Sequence, residues 1–555
     1  MTEPQLLAPG HRATRAIAIL ITIIFTGCTT TTPATTKPML DLKITNGRIL
    51  DGTGAPWFRG DVGVRGDTIV AIGNLSAMEA ALTIDAADRI VSPGFIDLLS
   101  QDEGSVLSDP RVEAKVRQGV TTCFTGENRS PGPQREASPE RPWRTLGEFM
   151  THLERNRSAV NFGFFVGAAN ARLIVLGDTN VQPTADQMRQ MEAVIDQAMR
   201  DGAFGLSTSL IYVPMMYSET EEIVNMARVA AEYEGVYFSH MRDEGDRIDM
   251  GLDEAFRIGR EAKIPVNIWH LKAAGRANWG RMPHVVARIE EARASGLDVA
   301  ANVYPYAASS TSLSTLAPNW ALEGGYDDFR ARLTNPEDRA KIVAALKAAV
   351  ERRGDKVIYV ARIGNPAQAQ YQKRFIEDIA REMNLPPEEA LIRLYEANEN
   401  SPAAIYFSMS EDDVRYALKQ SWVAVGADSG SPTPAMRAAN ASIHPRAYGT
   451  FARVAGRYSR DEKLFPLEEA VRKMTSLAAS RVKLFDRGIL REGLKADIIV
   501  FDPATIRDVS TYDDPHHFSE GVSHVVVNGR VVLRDGAMMN ELPGRVLRGK
   551  GYTAK

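Results

Sequence analysis

Two histidines stand where their imidazoles could bind one metal ion together. The chain contains only nine histidines, and His240 and His270 each end a short strand-like run, at 237–240 and 266–270. Neighbouring strands of a sheet lie about 4.8 Å apart. Imidazoles at the ends of two such strands can therefore reach the same ion at about 2.0–2.1 Å. The other interpretation is a pair of structural core histidines, but their position at two strand ends favours the metal site.

Strand-like and helical segments alternate through the middle of the chain. Further strands are predicted at 298–304 and 423–428, and a helix is predicted over 184–199. Polar residues follow the strands, at the carboxyl ends that form the active-site face of a (β/α)8 barrel. The sequence therefore predicts an α/β fold with a TIM-like barrel over 91–485. The charge-rich region 319–401 is predicted as an insertion next to the mouth of the active site.

Short β runs flank the barrel region on both sides. The runs before it are separated by turn signals such as Asp51-Gly52 and Gly66-Asp67, and similar runs return near the end of the chain. We therefore predict one small β-domain built from residues 40–90 and 486–550. The runs that define it lie at 40–50, 61–64, 68–72, 496–501 and 525–533.

Composition narrows the class of partner. The chain has 555 residues and a formal net charge of -4. Because there is no excess of basic residues to neutralise phosphates, nucleic acid is not expected as a partner. The two cysteines, Cys28 and Cys123, exclude a disulfide framework. We expect Cys123 to pack in the core.

The start of the chain carries the features of an export signal. Arg12 and Arg15 precede a short apolar run at 16–25, which is too short to span a membrane. We predict a signal peptide of the lipoprotein type over 1–28. The alternatives are an ordinary signal peptide cut nearby or an uncleaved anchor.

The end of this signal indicates a lipid anchor. Thr26-Gly27-Cys28 resembles the lipobox of bacterial lipoproteins, although Phe25 departs from the usual leucine. We predict lipidation at Cys28, followed by a Thr/Pro-rich tether over 29–39. The mature protein would then be attached on the periplasmic side of a bacterial membrane.

A series of short motifs runs through the chain in a fixed order. They are Asp51-Gly52-Thr53-Gly54, Pro93-Gly94-Phe95-Ile96-Asp97, Gln118-Gly119-Val120-Thr121-Thr122, Ser239-His240-Met241-Arg242-Asp243-Glu244-Gly245, His270-Leu271-Lys272, Tyr304-Pro305-Tyr306, His444-Pro445-Arg446 and Val527-Asn528-Gly529. Together they resemble the N-acyl-D-amino-acid deacylases, or D-aminoacylases, of the amidohydrolase superfamily. The resemblance implies a metal-dependent hydrolase that removes the acyl group of a small N-acyl-D-amino acid.

The same resemblance implies roles for further residues. Asp428 follows the last predicted strand, where the family places its catalytic aspartate, a base toward the attacking water and then an acid toward the leaving nitrogen. The alternative role for Asp428 is a helix N-cap. Arg242 and His444 either bind substrate or tie barrel loops together. The family positions that hold the substrate carboxylate or line the pocket are occupied by Lys272, Arg446, Tyr212, Ser310 and Tyr304.

The chain departs from the family at its metal ligands. Strand 1 of the superfamily normally ends in His-X-His, but Leu99 and Gln101 occupy those positions here. D-aminoacylases place a ligand cysteine where Asn128 stands, and Glu127 comes immediately before it. Because a carboxylate is a competent zinc ligand, we predict that Glu127 joins the two strand-end histidines to hold one Zn²⁺.

Other functions stay open beside the deacylase. A dipeptidase-like enzyme would cleave a dipeptide that contains a D-amino acid, or a cell-wall fragment. A cyclic-amide hydrolase usually needs the His-X-His metal and a carboxylated lysine, which the sequence does not show. A non-catalytic lipoprotein could bind acylated amino acids without cleaving them, but such a protein has no chemical need for His240, His270 and Asp428 together.

Overall fold

A computed structural model describes residues 39–553 of the protein. The predicted signal peptide, Cys28 and the predicted tether before Met39 lie outside these residues. Within 39–553, no helix combines the length and the apolar character that a membrane crossing requires.

Eight parallel strands form a barrel in the middle of the chain, which confirms the predicted fold class. Strands 1 to 8 pair side by side in chain order, and a parallel bridge between Ser100 and Ser429 joins strand 8 back to strand 1. All eight are buried, as expected for a barrel covered by helices. Barrel strands 1 to 8 are Phe95–Asp97, Val120–Thr125, Asn161–Phe164 continued by Val166–Gly167, Gly205–Ser209, Val236–His240, Val266–Ile268, Val299–Val303 and Val423–Val425.

Helices surround the barrel and pack on it through one apolar face. The predicted helix over 184–199 corresponds to Ala185–Asp201, which begins at a capping box between Thr184 and Gln187. The longer helices of the barrel are Leu146–Asn156, Ala185–Asp201, Thr220–Glu232, Ile248–Ala262, Met282–Ala294 and Glu411–Lys419. The shorter ones are Ser105–Ser108, Glu113–Val116, Ala168–Val175, Pro434–Ala438, Arg446–Arg453, Leu467–Met474 and Ser476–Arg481.

A buried lysine joins strands 1 and 8 where the barrel closes. Lys115 Nζ lies 2.7 Å from Asp97 Oδ2, 3.6 Å from Asp102 Oδ2 and 2.7 Å from the backbone oxygen of Ser429. Asp97 also accepts a hydrogen bond from the backbone N–H of Ala427. Each charge of the cluster has an opposite charge and hydrogen bonds beside it, which offsets part of the cost of burial. Burial still raises the pKa of Asp102, and the charge of Lys115 opposes that rise.

Lys115→Met is expected to destabilise the fold by about 3–5 kcal/mol, because it leaves two buried carboxylates without a cation. Urea unfolding followed by circular dichroism measures the change. Lys341→Met is the control, since Lys341 pairs with Glu337 on a helix surface and its side chain is 57% exposed. Such surface pairs contribute about 0–1 kcal/mol. Equal unfolding midpoints for the two variants would contradict the role assigned to Lys115.

A nine-stranded sheet is built from both ends of the described chain. Strand Ile90–Pro93 pairs antiparallel with Ile498–Phe501, which joins the two halves. After the sheet the chain returns to the barrel, where Phe162 N–H donates to Arg545 O and Leu547 N–H donates to Phe162 O. The end of the 486–550 segment therefore packs on barrel strand 3. The strands of the sheet are Leu40–Ile49, Phe58–Arg65, Thr68–Gly73, Ala80–Asp85, Ile90–Pro93, Ile498–Phe501, Val522–Val527, Arg530–Arg534 and Ala537–Met538.

An insertion with its own core separates barrel strands 7 and 8. It is wider than 319–401, because the serine-rich strand Ser309–Ser312, which has no apolar alternation, pairs antiparallel with Ala403–Tyr406. The other two strands of its four-stranded sheet are Ile358–Arg362 and Arg374–Phe375. Its helices are Tyr326–Thr334, Pro336–Arg353, Ile376–Met383 and Pro387–Glu396.

Candidate metal centre and active site

Three potential metal ligands converge at the carboxyl ends of barrel strands 2, 5 and 6. Glu127 follows strand 2, His240 ends strand 5 and His270 follows strand 6. Glu127 Oε1 lies 3.1 Å from His240 Nδ1 and 3.3 Å from His270 Nε2. Within residues 39–553, this is the one group of three or more His, Cys, Asp or Glu side chains whose ligand atoms all lie within 4.8 Å of one another.

The spacing of these atoms suits a small divalent ion with tetrahedral ligands. Atoms that bind zinc at about 2.0–2.1 Å in tetrahedral geometry lie about 3.3 Å from each other. The distances of 3.1 and 3.3 Å from Glu127 Oε1 to the two imidazole nitrogens agree with this. Two imidazole nitrogens and one carboxylate oxygen are also a donor set typical of catalytic zinc, which keeps a fourth position open. The residues present therefore fit a zinc ion.

Glu127 is held as an oriented carboxylate. Burial opposes its ionisation, but hydrogen bonds with His240 and His270 outweigh burial and hold the pKa of the carboxyl well below its usual range. Ser209 Oγ donates to Oε1 at 3.3 Å, and Gln101 Nε2 donates to Oε2 at 2.9 Å. The side chain is therefore anionic at neutral pH, which is the form that binds a metal.

Glu244 supports His270 from the other side of the imidazole ring. Glu244 Oε1 lies 3.0 Å from His270 Nδ1, and Lys272 Nζ lies 2.7 Å from each of these two atoms. Metal binding through Nε2 would leave the hydrogen on Nδ1, which would donate it to Glu244. Lys272 can donate to Nδ1 only when that nitrogen carries no hydrogen, so metal binding would end its hydrogen bond to the ring. Lys272 then donates to Glu244. This contact fixes the orientation of the His270 ring toward Glu127.

Asp428 follows barrel strand 8 and is joined to the metal cluster by one side chain. Gln101 Nε2 donates to Asp428 Oδ1 at 3.1 Å, while it also donates to Glu127. On the other side, Arg446 Nη1 lies 2.7 Å from Asp428 Oδ2. Burial raises the pKa of Asp428 above its ordinary value, and the charge of Arg446 opposes that rise. A carboxyl group with a raised pKa is suited to accept a proton and then release it.

Three residues of this region have a left-handed backbone. The angle φ is 36° at His270, 52° at Asp428 and 59° at Asn128. Such conformations are uncommon outside glycine and cluster at functional sites. Two of them are fixed by hydrogen bonds, from His270 N–H to Asn302 Oδ1 and from Asp428 N–H to Leu99 O, each 2.7 Å long. These turns end strands 6 and 8 before His270 and Asp428, earlier than the predicted runs at 266–270 and 423–428.

A cavity of about 830 Å³ lies against the cluster and reaches the insertion. Tyr212 is on its wall, with its hydroxyl 2.8 Å from Thr311 Oγ1 and its ring centroid 5.3 Å from that of His240. Ser310 is also on the wall, and its hydroxyl donates to a backbone oxygen of strand Ala403–Tyr406. The cavity is therefore bounded by barrel loops on one side and by the insertion on the other.

The sequence model of the amidohydrolase family matches residues 82–533. This chain belongs to the amidohydrolase family. It is 36% identical to the N-acyl-D-glutamate deacylase of Alcaligenes xylosoxydans xylosoxydans over 523 residues, which are 92% of this chain and 96% of that protein. The resemblance to the D-aminoacylase branch is thereby confirmed.

Two solved structures share the architecture of this amidohydrolase. A D-aminoacylase, described as having a binuclear metal centre with one-metal activation and second-metal attenuation, gives a TM-score of 0.79 at 36% identity. The N-acyl-D-glutamate deacylase of Bordetella bronchiseptica, in complex with zinc and a phosphonate mimic of the tetrahedral intermediate, gives 0.79 at 33% identity. Each comparison covers 92% of this chain and 100% of the other.

Most of the site residues predicted from the sequence of this amidohydrolase line one cavity. Glu127, His240, His270 and Asp428 all line the cavity, as do four of the five predicted substrate-binding residues. These four are Lys272, Tyr212, Ser310 and Tyr304. Arg446 is not on the cavity wall, because its guanidinium lies behind Asp428 and stacks 4.6 Å from the ring centroid of Tyr304.

The structure also places the residues at which this amidohydrolase departs from the metal ligands of its family. The side chain of Leu99 is buried among apolar side chains of the barrel core. Asn128 lies outside the group of three ligands, and its Oδ1 has no hydrogen-bond partner among residues 39–553. Cys123 is a free, buried cysteine of the core. None of these three side chains contributes to the cluster.

Two motif residues whose role was open tie loops together. Arg242 forms an ion pair with Glu254 at 2.8 Å and donates to the backbone oxygens of Met216 and Ser218. His444 Nε2 lies 2.9 Å from the backbone oxygen of Ala308. Its Nδ1 accepts the backbone N–H of Arg446, so His444 links the loop after strand 8 to the loop after strand 7.

Two contributions to the site were not predicted from the sequence. Gln101 stands in place of a family ligand, and its amide links the carboxylates of Glu127 and Asp428. Glu244 lies in the same motif as His240 and orients His270. A carboxylate four residues after a strand-end histidine was a visible signal for Glu244. No sequence signal indicates which way the Gln101 amide points.

Proposed function

We propose that this amidohydrolase hydrolyses the amide bond of N-acyl-D-amino acids with one zinc ion bound by Glu127, His240 and His270. The observation that carries the proposal is the convergence of these three ligands on one cavity with Asp428. The relatives named above support the amide substrate and its D-configuration, and the phosphonate mimic bound to one of them is consistent with attack on a carbonyl.

The proposed ion and Asp428 divide the steps of the reaction between them. A bound divalent ion would supply Lewis-acid polarisation of the carbonyl and lower the pKa of the attacking water. Asp428 removes a proton from that water and holds it on its carboxyl group, whose pKa burial raises. As the C–N bond breaks, Asp428 delivers the proton to the leaving nitrogen. Arg446 keeps Asp428 oriented between these two transfers.

The α-carboxylate of the substrate is assigned to the cavity wall beside the cluster. Lys272 supplies a cation there, and Tyr212 and Ser310 supply hydroxyl groups. Charge-assisted hydrogen bonds to a carboxylate are roughly twice as strong as neutral ones. Binding through the α-carboxylate would hold the scissile amide toward Glu127 and the two histidines.

The proposed ion count is one per chain. Leu99 provides no ligand atom at the position of a family histidine, and the Gln101 amide donates hydrogen bonds toward both carboxylates instead of presenting an acceptor. A second cation between Glu127 and Asp428 would meet the N–H groups of this amide. One ion is also compatible with activity in the D-aminoacylase for which one-metal activation is described.

A chelation and substrate screen tests the function. Protein dialysed against a chelator is expected to lose hydrolysis of N-acetyl-D-methionine and to regain it when about one equivalent of Zn²⁺ per chain is added. The screen includes the L-enantiomers and a hydantoin as controls. Release of the free amino acid is measured by chromatography, and bound metal by mass spectrometry. A purified protein that holds no zinc and shows no zinc-stimulated hydrolysis would instead indicate a binding protein.

We also propose that the protein is exported and lipid-anchored through Cys28. The basic residues Arg12 and Arg15 before the apolar run 16–25 support this. Cys28→Ser is expected to move the protein from the membrane fraction to the soluble periplasmic fraction of a bacterial host, as judged by immunoblotting. Membrane association that is unchanged in Cys28→Ser would contradict the lipid anchor.

A further inference from the structure

Three arginines on the wall of the cavity form no ion pair with a carboxylate of residues 39–553. Arg352 and Arg353 end the insertion helix Pro336–Arg353, and Arg276 lies in the loop that follows barrel strand 6. All three line the same cavity as the metal cluster. Within residues 39–553, no carboxylate forms an ion pair with any of them.

Two of the three cations are fixed by contacts of the loop and the insertion, and the third, Arg352, is an exposed side chain beside Arg353. Arg276 Nη2 donates to the backbone oxygen of Asp355 at 2.9 Å, next to the end of the insertion helix. Arg353 Nη1 donates to the backbone oxygen of Ala349 at 3.1 Å, and its guanidinium lies 5.9 Å from the ring centroid of Tyr406. Tyr406 is itself fixed by a hydrogen bond to the backbone oxygen of Ser312. Arg276 and Arg353 are therefore anchored, and their contacts use only a few of their N–H groups.

The nearby acidic residues of the cavity are engaged elsewhere. Asp243 Oδ1 accepts the backbone N–H groups of Gly245 and Arg247 at 2.9 Å each. Asp246 Oδ1 accepts from Asn278 Nδ2 at 2.8 Å. Burial lowers the pKa of Arg353, the charge of Arg352 lowers it further, and the charge of Asp246, which forms no ion pair with Arg353, only partly opposes this lowering. A half-buried arginine without a paired anion gains stability when a carboxylate binds to it, because its planar donors match that group.

We propose that Arg276, Arg352 and Arg353 form a second anion subsite that binds a carboxylate of the substrate other than the α-carboxylate. The inference rests on the proposed deacylase function, which uses Lys272, Tyr212 and Ser310 for the α-carboxylate. The second carboxylate belongs either to an acidic amino-acid side chain or to a dicarboxylic acyl group. The preferred substrate is therefore an N-acyl amino acid with two carboxylates.

Three substrates distinguish these sources. N-acetyl-D-glutamate carries the second carboxylate on its side chain, N-succinyl-D-methionine carries it on the acyl group, and N-acetyl-D-methionine lacks it. The wild-type enzyme is expected to favour one of the two dicarboxylates by about 10- to 100-fold in kcat/KM, as for a hydrogen bond to a charged group. The double variant Arg352→Gln/Arg353→Gln loses that preference, mainly through KM, and keeps its turnover of N-acetyl-D-methionine.

The matched control is Lys347→Gln, which removes a cation from the same helix at an exposed position outside the cavity. It is expected to leave the preference intact, and thermal unfolding verifies that both variants are folded. Equal losses on all three substrates in the double variant, or no wild-type preference for a dicarboxylate, would overturn the subsite while hydrolysis of N-acetyl-D-methionine still upholds the deacylase function.

The affinity of the subsite can be measured in a variant that does not hydrolyse the substrate. In calorimetric titrations of Asp428→Asn, N-acetyl-D-glutamate or N-succinyl-D-methionine is expected to bind about 10-fold or more tightly than N-acetyl-D-methionine. Adding the two arginine substitutions removes the difference. Selective binding without hydrolysis by the wild-type protein would refute the deacylase function alone, and equal binding of all three compounds would refute the subsite.

Discussion

Glu127→Gln is expected to abolish zinc binding and to lower kcat/KM by well over about 100-fold, the upper loss typical of a residue that only supports a ligand. The substitution keeps the size of the side chain but replaces an anionic oxygen, which lies 3.1 and 3.3 Å from the two histidine nitrogens, with a weakly coordinating amide. Metal content measured by mass spectrometry on the purified variant separates loss of the ion from loss of chemistry.

Arg129→Gln provides the matched control for this variant. Arg129 belongs to the same loop, but its side chain is 53% exposed and pairs with Asp178 at 3.3 Å on the surface. It is expected to retain both zinc and activity. If Glu127→Gln kept the zinc stoichiometry and activity of the wild-type protein, Glu127 would have no place in the metal centre.

Asp428→Asn is expected to retain zinc and to lower kcat by about 10²- to 10⁴-fold, the contribution typical of a general acid and base. Asparagine tolerates the left-handed backbone at this position, where φ is 52°. The fold and the three ligands are therefore preserved while the proton acceptor is lost. Steady-state kinetics with N-acetyl-D-methionine, together with metal content, measure the two effects separately.

The pH profile gives a second readout for Asp428. A base must be deprotonated to act, so wild-type activity should fall as the pH drops through the pKa of Asp428, which burial raises. The residual activity of Asp428→Asn should lack this acid limb. Asp535→Asn is the control, because Asp535 has a similar φ of 48° but its side chain is 77% exposed on the surface. Loss of zinc from Asp428→Asn would indicate a ligand role and contradict the assignment.

The convergence of the three proposed ligands could be predicted from the sequence because backbone topology brings these residues together. His240 ends strand 5 and His270 follows the neighbouring parallel strand 6, and the carboxyl ends of such strands meet at one face of the barrel. Glu127 could be predicted because it adjoins the family's cysteine position. The side-chain network could not, because the direction of the Gln101 amide depends on two carboxylates that are distant in sequence.

The boundaries of the insertion could not be predicted from the sequence. Its charge-rich helices were recognised, but its edges were not, since strand Ser309–Ser312 has no apolar pattern and is defined only by its pairing with Ala403–Tyr406. The position of Arg353 on the cavity wall also depends on how the insertion packs against the barrel. Tertiary packing of this kind has no local sequence signature.

The sheet that joins both ends of the chain makes folding depend on complete synthesis. Strand Ile90–Pro93 finds its partner Ile498–Phe501 on the order of 400 residues later, a contact of very high sequence separation that slows folding. Until the late strand arrives, the early strands keep one open edge, which is prone to pair with other chains. A chain that stops before Ile498 would therefore be expected to aggregate even though every residue of the proposed metal centre had already been made.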